Sequence, residues 1–122
     1  MIKHIEFWVS NLEISIDFYH ELFRIIGWEQ VDSNGFSDGI TKIYFREQKV
    51  ISQSTIGPRH ICFLAESRDI VNTTAEYLKK TQVTILRGPI EMEYKSKKSY
   101  TIDFKDPDGY ILEVATTTKT TP

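Results

Sequence analysis

His4-Ile5-Glu6-Phe7 and His60-Ile61-Cys62-Phe63 stand 56 positions apart, and reading them as one motif used twice decides the fold. The same offset superposes Glu13 on Asp69, Ile14 on Ile70, Leu22 on Leu78, and Lys42-x-Tyr44 on Lys98-x-Tyr100. Any one match is weak, because apolar residues recur by chance. A shared register across two apolar-rich segments indicates a duplicated module.

The secondary structure read around each copy repeats as well. His4 to Val9 alternates His4, Glu6 and Trp8 with Ile5, Phe7 and Val9, the period of a strand. Ser10 and Glu13 have the spacing of a capping box, and Leu12, Ile16, Tyr19, Phe23 and Ile26 recur at helical spacing up to Gly27. Strands are predicted at Trp28 to Val31, Thr41 to Phe45 and Lys49 to Ser54, with turn-rich residues 32–35 and 37–39 between them. The second copy gives a strand from His60 to Ala65, a helix from about Ser67 to Lys80, and strands at Val83 to Leu86, Ser99 to Phe104 and Tyr110 to Ala115. Asp106-Pro107-Asp108-Gly109 has type I turn preferences. Ile90 to Lys98 shows no period and reads as a mobile loop. The expected organisation is a single domain of two βαβββ repeats, residues 1–56 and 57–115, joined at Gly57-Pro58 and followed by a flexible threonine-rich tail, 116–122.

Length and charge set the bounds. The 122 residues, 40% hydrophobic and 26% charged, suit one ordinary globular domain. A formal charge of −2 leaves no general nucleic-acid footprint. No window approaches the roughly 18 consecutive apolar residues of a membrane helix, and the start lacks the layout of a signal peptide. The single cysteine, Cys62, has no internal disulfide partner, which fits a reducing compartment. A cytoplasmic protein without nucleic-acid or membrane partners is expected.

Three histidines carry the chemical interest. His4 and His60 open equivalent strands, with Glu6 beside His4 and Cys62 beside His60 on the same faces. His20 falls on the solvated side of a predicted helix. Glu113 shares a strand face with Ile111 and Ala115, opposite Leu112 and Val114, and a carboxylate there is costly to bury without a partner. A strand histidine is more often structural than a ligand, but identical placement in both repeats weighs the other way. If the modules pair about a pseudo-twofold axis, His4, His60 and Glu113 converge. Two imidazoles and a carboxylate suit a divalent ion (zinc, manganese, nickel or ferrous iron) with positions left open for substrate. Glu6 is the candidate catalytic base. Trp8, Tyr44, Cys62 and Tyr100 are the candidate substrate-binding residues, although aromatics are more often plain core.

Three stretches then match a known pattern. His4 to Tyr19, Gly57-Pro58-Arg59-His60-Ile61-Cys62-Phe63, and Asp106-Pro107-Asp108-Gly109-Tyr110-Ile111-Leu112-Glu113 resemble the vicinal oxygen chelate superfamily over about residues 2 to 115. That group includes glyoxalase I, bleomycin resistance proteins, fosfomycin resistance proteins and extradiol dioxygenases. The resemblance implies an α+β fold of two tandem βαβββ modules forming a cleft-shaped, barrel-like mixed sheet. It also implies a divalent metal at His4, His60 and Glu113. Glyoxalase I usually adds a glutamate from the last strand of the first module. Aligning Val50-Ile51-Ser52 with Ile111-Leu112-Glu113 puts Ser52 there, or Gln53 after a one-residue slip, and neither is a good ligand. The implied function is a metal-dependent enzyme on a small oxygen-bearing substrate, with lyase, transferase and dioxygenase chemistry all open. The alternative is a metal-free small-molecule binder of the bleomycin-resistance type. A homodimer is expected, in which the ligands would be drawn from one chain or from two.

Overall fold

The computed structural model describes residues 1–49, 60–117 and 119–120. The chain divides into two compact units, Met1–Thr55 and Ile56–Pro122. The joint expected at Gly57-Pro58 lies outside the described residues.

The first unit runs β1 (His4–Val9), α1 (Leu12–Ile26), β2 (Glu29–Asp32), β3 (Gly35–Ser37) and β4 (Lys42–Glu47). Its sheet order is β1-β4-β3-β2, with β1 and β4 parallel and the remaining pairs antiparallel. α1 covers one sheet face with Phe18, Tyr19, Leu22, Phe23 and Ile26. Against them lie Phe7, Phe36 and Phe45, with Tyr19 stacked on Phe45 at 4.3 Å between ring centres. Trp28 stacks on Phe23 at 5.0 Å.

The N-terminus of α1 differs from the expected Ser10–Glu13 box. The helix starts one residue later, so Asn11 is the cap, and its side-chain oxygen accepts from the Ile14 amide at 3.0 Å. The Leu12 amide donates to the Glu47 carboxylate at 3.0 Å, so the end of β4 satisfies another free helix donor. Gly27 closes the helix in the left-handed region at φ +95°. The third strand is Gly35–Ser37, within residues read as turns. Three residues are too few to show a period, and Phe36 is fully buried there. The strand expected from Lys49 to Ser54 lies, from residue 50 onward, outside the described residues.

The second unit repeats the order: β5 (Ile61–Ala65), α2 (Arg68–Lys79), β6 (Ile85–Tyr94), β7 (Lys97–Lys105), β8 (Ile111–Thr116) and a short β9 (Lys119–Thr120). Strands run β5-β8-β7-β6, again with the first and last of the module parallel, and β9 pairs with β7. Ser67 caps α2 through the Ile70 amide. Val71, Ala75 and Leu78 of the helix are buried, as are Phe63, Ile102, Phe104, Leu112 and Val114 of the sheet. Asp106, only 3% exposed, fixes the turn into β8 by accepting from the Asp108 and Tyr110 amides at 2.9 and 2.8 Å.

Two expectations change in this unit. Ile90 to Lys98 is not a loop but the outer half of a β6–β7 hairpin, turned by Lys95 and Ser96 in the left-handed region. Register shifts between Ile85 and Arg87 and between Arg87 and Ile90 break the alternation that would have revealed a strand. The tail, in turn, contributes Lys119 and Thr120 to the sheet opposite Lys98 and Lys97.

The irregularity in β6 centres on Gly88, at φ +97°. A Cβ there would meet the Thr101 carbonyl oxygen at 2.4 Å and the Ile102 Cα at 3.1 Å. Gly88→Ala is expected to lower stability by about 2 kcal/mol or more. That would appear as a lower urea midpoint at unchanged slope, whereas an unmoved midpoint would show that β6 can shift away from β7.

Candidate functional site

Strand alternation sends one set of side chains to the helix and the other to the opposite face. In the second unit Ile102, Phe104, Leu112 and Val114 belong to the helix set. Cys62, Thr101, Asp103 and Glu113 therefore share the face turned away from α2. The register pairs Cys62 with Glu113, Glu113 with Asp103, and Asp103 with Arg87, so these four form one row straight across β5, β8, β7 and β6.

His60, just before β5, places Nε2 3.4 Å from Glu113 Oε1. The other carboxylate oxygen accepts from the Thr101 hydroxyl at 2.6 Å. Thr101 is 1% exposed and Glu113 19%, so the carboxylate is held in a half-sheltered position by a buried neighbour. Two donors on one tetrahedral ion, each about 2.1 Å from it, stand about 3.4 Å apart. The observed separation thus fits a pair of ligands, and it equally allows attraction between a protonated imidazole and the carboxylate. The bond from Thr101 is of the kind that orients a ligating carboxylate.

Cys62 is exposed as a residue, but its sulfur lies low on the sheet, 3.8 Å from the Phe63 carbonyl. Its thiol is pushed up from 9.0 to about 12, first by burial and then by the negative charge of Glu113, the hydrogen bond to it, and Asp103. At neutral pH it is a protonated thiol, not a nucleophilic thiolate.

Tyr100 is not in this group. It has the parity of Ile102 and Phe104, its hydroxyl donates to Asn72 of α2 at 2.7 Å, and Arg68 of α2 lies over its ring at 4.0 Å. The adjacent Thr101 is the β7 residue whose side chain meets Glu113.

In the first unit His4, Glu6 and Trp8 lie on one face of β1, and Tyr44 on the same face of β4. The His4 and Tyr44 rings are 5.5 Å apart. Glu6 accepts from the Trp8 indole nitrogen at 2.9 Å, and Trp8 is 51% exposed. β1 pairs with β4 as β5 pairs with β8, so the Glu6–Tyr44 pair corresponds to Cys62–Glu113. Tyr44 therefore stands where Glu113 stands in the second unit. Ser52 and Gln53 themselves lie outside the described residues. His20 is exposed on α1, as expected.

Of the three expected ligands, His60 and Glu113 come together, while His4 belongs to the first unit. Among the described residues no set of three His, Cys, Asp or Glu side chains is grouped so as to hold an ion. Thr101, Asp103 and Arg87 are the residues that sequence reasoning missed.

The raised Cys62 thiol yields a direct test. At pH 8 it carries roughly a thousandfold less thiolate than an ordinary cysteine, so iodoacetamide should label it at least tenfold more slowly than free cysteine. Glu113→Gln should speed the labelling, and wild-type labelling at the rate of free cysteine would contradict this environment. Between pH 9 and 12 the folded state keeps a proton that the unfolded chain loses. Cys62 therefore makes stability fall as pH rises through that window.

Comparison with known proteins gives a consistent result. The family model for the Glyoxalase/Bleomycin resistance protein/Dioxygenase superfamily matches residues 1–114. A protein named metallothiol transferase FosB from Staphylococcus haemolyticus (strain JCSC1435) is 35% identical over 118 residues, 94% of this chain and 82% of the relative. Virulence protein STM3117 of Salmonella typhimurium is 25% identical over 121 residues, 93% of this chain and 82% of the relative. The crystal structure of a candidate glyoxalase from Bacillus halodurans superposes with a TM-score of 0.78 at 27% identity, covering 96% of both chains. Two βαβββ units and a match across almost the whole chain lead to one conclusion: the chain belongs to the Glyoxalase/Bleomycin resistance protein/Dioxygenase superfamily.

Proposed function

We propose that this protein is a divalent-metal-dependent enzyme of the superfamily, acting on a small oxygen-bearing substrate with transferase-type chemistry. The observation that carries the reading is the His60–Glu113 pair at 3.4 Å, backed by the Thr101 hydroxyl on the second carboxylate oxygen. The 35% identity to a protein named metallothiol transferase supports the reaction class. The candidate glyoxalase of known structure, which would favour the lyase alternative, is 27% identical, below the 35% of the transferase relative.

His60 and Glu113 would hold the ion, with His4 as third ligand, supplied by the same chain or by a second copy in a homodimer. Zinc, manganese, nickel and ferrous iron all suit such a set. The bound cation would supply Lewis acidity toward neighbouring substrate oxygens. Thr101 keeps the Glu113 carboxylate in one orientation. Glu6, whose carboxylate accepts from the Trp8 indole, would be the base that takes a proton from the substrate, with Trp8 and Tyr44 of the same unit as aromatic contacts for it. Cys62 contributes a neutral thiol next to Glu113. A reducing cytoplasm fits a lone cysteine.

A second reading is a metal-free small-molecule binder of the bleomycin-resistance type, which the family description includes. Metal analysis separates the two. Protein purified without chelator is expected to carry about one divalent ion per chain, lost in His60→Ala and Glu113→Ala while circular dichroism is unchanged. Thr101→Val should weaken the affinity roughly 10- to 100-fold. No binding after equilibration with zinc, manganese, nickel and ferrous iron would overturn the enzymatic reading in favour of the binder. Once a substrate is identified, Glu6→Gln should lower turnover by about 10²- to 10⁴-fold, and unchanged turnover would remove Glu6 from the mechanism.

A further inference from the structure

The row Cys62–Glu113–Asp103–Arg87 contains an arrangement that stability alone does not favour. Asp103 and Glu113 are directly opposite on adjacent strands, and like charges so placed are destabilising. Asp103 is only 17% exposed, which deepens the conflict. Its compensation is Arg87, whose Nη2 lies 2.5 Å from Asp103 Oδ2. The backbone is irregular at that contact: register shifts flank Arg87 on both sides and Gly88 follows at φ +97°. Bulges of this kind re-aim a side chain. Arg87 remains 46% exposed, so the pair forms part of the accessible surface of the row.

The order of charges fixes what the row can receive. Next to the proposed ligand Glu113 comes a carboxylate, and only beyond it a guanidinium that this carboxylate already engages. A phosphate or phosphonate reaching along the row meets Asp103 first, and Arg87 reaches it with its charge offset. A hydroxyl can donate to Asp103 and accept from the outer N–H groups of Arg87, whereas a protonated amine can only donate to Asp103.

Building on the functional reading above, we propose that Asp103 determines the specificity of this site. By engaging Arg87 it turns an anion receiver into a seat for hydrogen-bond donors. The substrate class is then a small hydroxyl- or amine-bearing oxygen compound, not a phosphonate or phosphate.

The test is calorimetric titration of the full chain, stripped of metal, with inorganic phosphate and separately with methylphosphonate. Asp103→Asn keeps the shape and removes the charge, and it is expected to bind both anions at least tenfold more tightly than wild type. Adding Arg87→Ala to it should abolish the gain, which a merely structural role for Asp103 would not produce. Asp103→Ser serves as a second variant if the first does not fold. Equal affinity in wild type and both single variants, or a gain that survives loss of Arg87, would overturn the proposal. The titration needs no metal, so its failure is distinguishable from failure of the metal reading. Manganese titration of wild type, His60→Ala and Glu113→Ala reports on that reading.

Discussion

Each four-stranded path in this protein has one helix to cover it, and that constraint orders everything else. A helix can bury one face of a sheet, so alternate residues of every strand are committed to α1 or α2 and the others are not. In the second unit Phe63, Ile102, Phe104, Leu112 and Val114 take the helix side, which leaves Cys62, Glu113, Asp103 and Thr101 together on the other. The polar row follows from the packing of the apolar one. A one-residue slip in β8 would put Glu113 into the apolar core.

Most of the architecture was legible in the sequence for that reason. The repeat of His4-Ile5 and His60-Ile61, the two helical stripes and the Asp106-Pro107-Asp108-Gly109 turn are local or periodic signals, and each has its element in the structure. What escaped was irregular. β3 is too short to show a period, and β6 is interrupted on both sides of Arg87, so a ten-residue strand looked like a loop. The capping of α1 differed by one residue because Asn11 and Ser10 are both competent cap residue types, and the side chain that accepts from Ile14 is that of Asn11.

The site was legible in part. Glu113 stood out because a carboxylate interrupts an apolar strand, and His60 because of the repeat. Thr101 and Asp103 carry no such mark, since their importance comes from a cross-strand neighbour 10 or 12 residues away. Tyr100 could have been excluded, because it shares its parity with Ile102 and Phe104. The place of Tyr44 required the parallel pairing of β1 with β4, which no local pattern reveals.

That pairing also bears on how the chain is made. β8 lies between β5 and β7, so the second sheet has no continuous middle until residues 111–116 are present. During synthesis β5, α2 and the β6–β7 hairpin emerge first, and the strand that joins β5 to the hairpin follows them. The first unit reaches its own uniting strand by Glu47. Each unit therefore completes its sheet only with the last long strand of its module, β4 in the first and β8 in the second.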